Sequence, residues 1–237
     1  MFSIWILGFF VGVGHAFEPD HMAAVSTLIS DKSSRRDIIR HGAIWGLGHT
    51  LVLLIVGGAA LLLKTALPVQ FAIGLEMLVG IMLVGLGAHV IYRLRRDRVH
   101  FHRHNHQDGV EHIHIHSHQN DTTPHTPAKH RHAHPDRSAL RTLLVGVMHG
   151  LAGSAAVIMT TAATLNSAPI GLFYIAIFGV GSILGMACVT LVMSLVLIPA
   201  RALTRLNNGL HYLIGTATIS VGIYVLTTSG AMLDFMR

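Results

Sequence analysis

The chain has 237 residues, 51% hydrophobic and only 12% charged, with a formal net charge of +6 and a mean hydropathy of +0.57. A soluble domain carries about a quarter charged residues, so this composition excludes a water-soluble fold and selects an integral membrane protein. The basic excess borders apolar runs, where it orients a membrane protein and gives no sign of nucleic-acid binding. The single cysteine, Cys188, rules out an intrachain disulfide framework and reads as an apolar packing residue.

Six apolar runs approach or exceed the ~20 residues that cross a bilayer as helix, near residues 3–29, 42–64, 69–92, 140–163, 170–199 and 209–232. The first has no positively charged leader and reads as a retained spanning helix, not a signal peptide. The expected fold class is all-α: a polytopic membrane protein of six transmembrane helices. Residues 1–95 form a first three-helix unit, 96–138 a disordered histidine-rich loop and 139–237 a second three-helix unit. Basic connections alternate with neutral ones. Lys32, Arg35, Arg36 and Arg40 lie after the first run, Arg93, Arg95, Arg96, Arg98, Arg103, Lys129, Arg131 and Arg137 after the third, and Arg201 and Arg205 after the fifth. By the positive-inside rule those three loops are cytoplasmic and both termini lie outside. The expected location is the cytoplasmic (inner) membrane.

The two halves repeat. "GVGHA" at 12–16 echoes "GVMHG" at 146–150, "AIWGLGHTL" at 43–51 echoes "AIFGVGSIL" at 176–184, and "EMLVGIMLVGLG" at 76–87 aligns with "HYLIGTATISVG" at 211–222. The offsets are 134, 133 and 135, so one register holds through three spans. Three is odd, so the second half is expected to lie inverted in the membrane. Inverted repeats with a site between them near the midplane are a transporter design.

The first run carries "GHAFEPDHMAAV", with His15, Glu18, Asp20 and His21 near its middle. Charged groups there cost at least ~2.5–3.5 kcal/mol each and mark function. On a regular helix Asp20 lies about 140° from His15 and His21 about 120° away on the other side. The three cannot share a face. Pro19 resolves this, because it offers no N–H to the carbonyl of His15 and crowds it. A broken or unwound segment is expected there, with the side chains converging on an internal cavity. Imidazole and carboxylate together suit divalent first-row metals such as Ni, Co and Zn better than Mg or Ca. The metal ligands expected are His15, Asp20, His21 and, from the second span, His49. Glu18, His149 (at the repeat position of His15) and Glu76 are candidate site or pathway residues, Glu76 as a partner for a histidine or part of the path. His89 and His211 read as interfacial.

Residues 100–134 hold 12 of the 19 histidines. Eleven of them alternate with other residues: His100, His102, His104 and His106; His112, His114, His116 and His118; His130, His132 and His134. Alternate residues of an extended chain share a side, so each run can offer several imidazoles to one ion. Prolines and polar filler argue against a packed core, and the tract reads as a disordered metal-binding loop.

"HAFEPDH" at 15–21 resembles the His-x4-Asp-His signature of the nickel/cobalt transporter (NiCoT) family, and "GLGHT" resembles its second histidine motif. "GVMHGLAGSAA" at 146–156 is similar to the later helices of its short bacterial relatives, including the nickel transporters encoded beside urease. The resemblance implies transport of Ni2+ or Co2+ without ATP hydrolysis, with His15, Asp20 and His21 as signature ligands and His49 from the second motif. It also implies cytoplasmic metallochaperones or urease or hydrogenase maturation proteins as partners. The larger permeases have eight spans where six are counted here. Glu18–Pro19 stands in place of Asp–Ala, as in the related nickel/cobalt efflux proteins, which also carry a histidine-rich loop. Those proteins have Gly where this chain has Asp20.

The expected function is therefore a secondary Ni2+ or Co2+ transporter, leaning to uptake, with no resident cofactor and no enzymatic activity. The alternatives are an efflux protein for metal resistance and a membrane metal buffer or sensor working through the loop. A histidine-box oxygenase is disfavoured, because the histidines within the spans are scattered singly. No Gly-x4-Gly-Lys-Ser/Thr phosphate loop occurs, so metal gradient, membrane potential or protons would supply the energy.

Overall fold

A computed structural model describes residues 2–32, 34–63, 68–96, 100–105, 111–116, 137–151, 167–200 and 203–235. The helices are α1 (Phe2–His15), α2 (Pro19–Ile29), α3 (Arg35–Leu63), α4 (Val69–Arg96), α5 (Arg137–Gly150), α6 (Ala168–Ala200) and α7 (Thr204–Phe235). Strands β1 (His100–Asn105) and β2 (Glu111–His116) lie between α4 and α5. Among the described residues four helices are long and apolar enough to cross a membrane: α3, α4, α6 and, from Leu206 on, α7. The expected first span is divided between α1 and α2, and most of the second half of the expected fourth lies outside the described residues.

The division falls at Pro19. Phe17 N–H bonds the Gly14 carbonyl at 3.0 Å, and Glu18 N–H takes the His15 carbonyl at 3.1 Å, the acceptor that Pro19 cannot serve. Glu18 is extended, at φ −60° and ψ 143°, and Pro19 opens α2, where its missing N–H costs nothing and its fixed φ suits a helix start.

The exterior is apolar. Leu184, Val192 and Leu195 of α6 and Ile55 and Leu62 of α3 are exposed, as a lipid-facing surface requires. Cys188 belongs to this outer face of α6 and is exposed, not packed inside as its apolar context suggested. The interior collects the polar groups: His15, His21, His41, His49, His149, Ser182, Thr190 and Thr218 are buried. Such groups in a bilayer turn toward the protein.

Glycines set the helix contacts. A Cβ at Gly12 would fall 2.1 Å from the Phe178 carbonyl oxygen, and one at Gly146 would fall 2.2 Å from that of Trp45. Gly181 approaches Phe9 and Val13, while Gly48 approaches Leu143 and Val147. Adding 134 to 9, 12 and 13 gives 143, 146 and 147, and subtracting 133 from 178 and 181 gives 45 and 48. The α1–α6 contact thus corresponds, position by position, to the α5–α3 contact. In the same manner α4 meets α7 through Gly80 against Gly222 and Gly87 against Gly215. Close approach through small residues is the usual way membrane helices pack.

β1 and β2 pair antiparallel, with His100 opposite His116, His102 opposite His114 and His104 opposite His112. In β1 and β2 this part of the loop is extended and paired. The cause is local: Phe101, Ile113 and Ile115 favour extended chain, and Asp108–Gly109, a strong hairpin signal, lies between the two runs in the sequence. His106, His118, His130, His132 and His134 lie outside the described residues.

Candidate metal centre

Four elements meet where the first span breaks. His15 ends α1, Asp20 and His21 lie in the first turn of α2, His49 sits midway along α3, and His149 ends α5. Glycine contacts bring them in. Gly12 seats α1 on α6 one turn before His15, Gly48 precedes His49, and Gly146 seats α5 on α3 one turn before His149.

One ligand atom from each of His15, His21 and His49 lies within 4.8 Å of the other two, and the same holds for Asp20, His21 and His149. The imidazole rings meet edge to face, His15 with His21 at 4.2 Å between centroids and His21 with His149 at 4.3 Å. All four histidines are nearly or fully buried, at 5% exposure or less.

With one N–H to a ring, the hydrogen bonds assign a tautomer to each histidine. His15 Nδ1–H donates to Glu18 Oε1 at 2.8 Å. His49 Nε2–H then donates to the bare Nε2 of His15 at 3.2 Å. His21 Nδ1–H donates to Asp20 Oδ1 at 3.1 Å, and His149 Nε2–H donates to Asp20 Oδ2 at 2.9 Å. The nitrogens left over are His21 Nε2, His49 Nδ1 and His149 Nδ1, all buried without a partner among the described residues. By this assignment each is a lone pair, not a donor. A buried polar atom left unpaired costs about 1–3 kcal/mol, and a cation bound at any one of these nitrogens would offset its share. The donor set of imidazoles with one carboxylate fits a divalent first-row ion.

Comparison with known proteins places the chain. Residues 7–224 match the family described as cytochrome C biogenesis protein transmembrane region. The chain belongs to that family. It is also 33% identical over 232 residues to the urease accessory protein UreH of Bacillus sp. (strain TB-90), an alignment spanning 97% of this chain and 93% of that protein. No solved structure matches it. Family membership and the four long apolar helices make it a multi-pass membrane protein.

In this family member, the residues singled out from sequence fall into two groups. His15, Asp20, His21, His49 and His149 come together, and Glu18 joins them through His15, with its second oxygen 3.7 Å from His21 Nδ1. Glu76 does not join them: its carboxylate accepts from Ser229 Oγ at 3.0 Å, so α4 and α7 share a hydroxyl–carboxylate bond in place of the expected imidazole partner. His211 bonds the Asn207 and Ser30 carbonyls, at 2.8 and 3.0 Å, and His89 is exposed. Sequence reasoning passed over Trp45. Its ring centroid lies 5.3 Å from that of His21 and 5.5 Å from that of His149, and its Nε1–H is buried without a partner among the described residues. The signal was present in the repeat, where Phe178 occupies the matching position and lies 5.3 Å from His15.

Proposed function

We propose that the protein is a secondary transporter that carries Ni2+ or Co2+ across the cytoplasmic membrane through the His/Asp cluster, in the direction of uptake. The observation that carries this reading is the pair of close groups at a broken helix, His15–His21–His49 and Asp20–His21–His149, with ligand atoms within 4.8 Å of one another in each. Irregular backbone at membrane depth occurs where it is enclosed by protein or lines a cavity. The likeness to a urease accessory protein supports nickel as cargo. The resemblance of "HAFEPDH" and "GLGHT" to the nickel/cobalt transporter family supports the same ion class and the same ligands. Thiol–disulfide transfer within the chain needs two cysteines, and the sequence has one.

In this reading six spans form two inverted three-helix repeats, and the matched α1–α6 and α5–α3 contacts support that symmetry. The hydrated ion sheds water for His15, Asp20, His21 and His49. Glu18 orients His15 by accepting its Nδ1–H, as outer partners of metal-bound histidines do. Rocking of one repeat against the other then opens the site to the opposite side. The histidine-rich loop faces the cytoplasm by the positive-inside rule and receives the ion.

Export is the second reading, favoured by the Glu18–Pro19 pair and by the cytoplasmic loop. Both are tested by time courses of cell-associated 63Ni with and without the protein. Uptake predicts faster accumulation, and export predicts faster loss from preloaded cells. Asp20→Ala should abolish either effect with the protein still inserted. Unchanged 63Ni movement in that variant would overturn the site assignment.

A further inference from the structure

The cluster is not one site of five ligands but two sets of three, and His21 belongs to both. The sets differ in chemistry and in cover. His15, His21 and His49 are three imidazoles, and their exposures are 5%, 1% and 0%. Asp20, His21 and His149 include a carboxylate, and the Asp20 side chain is 26% exposed. Glu18, at 45%, is more open still and stands beside the same edge, within 3.7 Å of His21. The sets also differ in where they come from. The all-imidazole set is drawn from α1, α2 and α3, all in the first half of the chain. The set with Asp20 adds His149 from α5 and so joins the two halves.

We propose that a divalent cation occupies these sets in succession, first an outer position of Asp20, His21 and His149, then an occluded position of His15, His21 and His49. The proposal rests on the transport reading above and specifies how its site works. The carboxylate attracts the hydrated cation at the more open edge. His21 holds it throughout, so ligands are exchanged around one fixed imidazole and the ion is never released between positions. The scheme gives both positions the same His21 nitrogen, so only one can be filled at a time. Entry to the inner position trades Asp20 and His149 for His15 and His49, so the link between α5 and α2 passes from the ion to the direct His149–Asp20 bond. Occupancy and the contact between the two halves are thereby linked.

The test uses the full-length chain with the histidines of residues 100–134 changed to Asn, so that bound metal reports the helices alone. Equilibrium dialysis with 63Ni should give one Ni2+ per chain at saturation. Two per chain would overturn the sharing of His21, and this measurement needs no change at the site. His49→Gln should still bind one Ni2+ but release it to EDTA at least ten-fold faster than the parent. His149→Gln should bind one and release it as slowly as the parent, and the double variant should bind none. In vesicles containing the chain with its native loop, each single substitution should lower 63Ni flux at least ten-fold. Equal loss of binding in both single variants would mean one composite site. Flux in His149→Gln within two-fold of the parent would remove the outer position from the path. Each result contradicts the two-position scheme and leaves nickel transport standing. If the parent binds one Ni2+ with the expected release pattern but moves none, the transport reading falls and the two positions remain.

Discussion

Glu18 separates holding a ligand from being one. It bonds His15 Nδ1 at 2.8 Å and thereby leaves His15 Nε2 bare toward His49. Removing such an outer partner typically costs 10–100-fold in metal affinity. Glu18→Ala should therefore raise the KM for 63Ni transport by about ten-fold or more, with a smaller effect on kcat. Glu18→Gln, which keeps an accepting oxygen, should restore most of the loss; equal damage from both would mean that the charge, and not the orientation of His15, is what matters. At this scale much of the cluster was legible, because four ionisable residues within seven positions of an apolar run have few explanations besides function. Two things were not. The tautomers depend on partners from three other helices, and the bond of Glu76 to Ser229, 153 positions away, has no signal in either segment.

Among the elements, the broken first span decides whether the side chains meet. Pro19→Ala would restore an N–H and remove the clash with the preceding turn. A helix continuous from α1 into α2 would turn Asp20 and His21 off the His15 face, so 63Ni flux should fall at least ten-fold although the protein is inserted. Retained flux would show that the break does not depend on the proline. Packing gives a paired expectation on the same helix. Gly12→Ala puts a Cβ 2.1 Å from the Phe178 carbonyl oxygen, whereas at Gly14 nothing lies within 4 Å. The first should destabilise by about 1–3 kcal/mol and the second should be neutral or stabilising by about 0.5–1 kcal/mol, read as melting temperature in detergent. The break was readable from Pro19 because proline acts locally. The pairing of β1 with β2 was not foreseen, since histidine and polar filler outweighed the β-formers Phe101, Ile113 and Ile115.

For the whole molecule, the repeat reading rests on three matching segments, and the α1–α6 and α5–α3 contacts fall at corresponding positions. What no single segment could reveal is the asymmetry within that frame. Ser182 occupies the repeat position of His49 and donates to the Gly12 carbonyl at 3.2 Å, so the second half supplies one imidazole, His149, where the first supplies three. The histidine-rich loop is expected to feed this centre, not to replace it. Deleting residues 100–134 should weaken transport at low Ni2+ and leave the maximal rate within a few-fold; complete loss would make the loop the working part.

The most direct test of the central claim is 63Ni movement into proteoliposomes holding the purified chain, with His21→Ala alongside, since His21 belongs to both ligand sets. Time-dependent accumulation by the parent, absent from His21→Ala and from empty vesicles, is the result predicted. Equal 63Ni content in all three, or undiminished movement in His21→Ala, would contradict it.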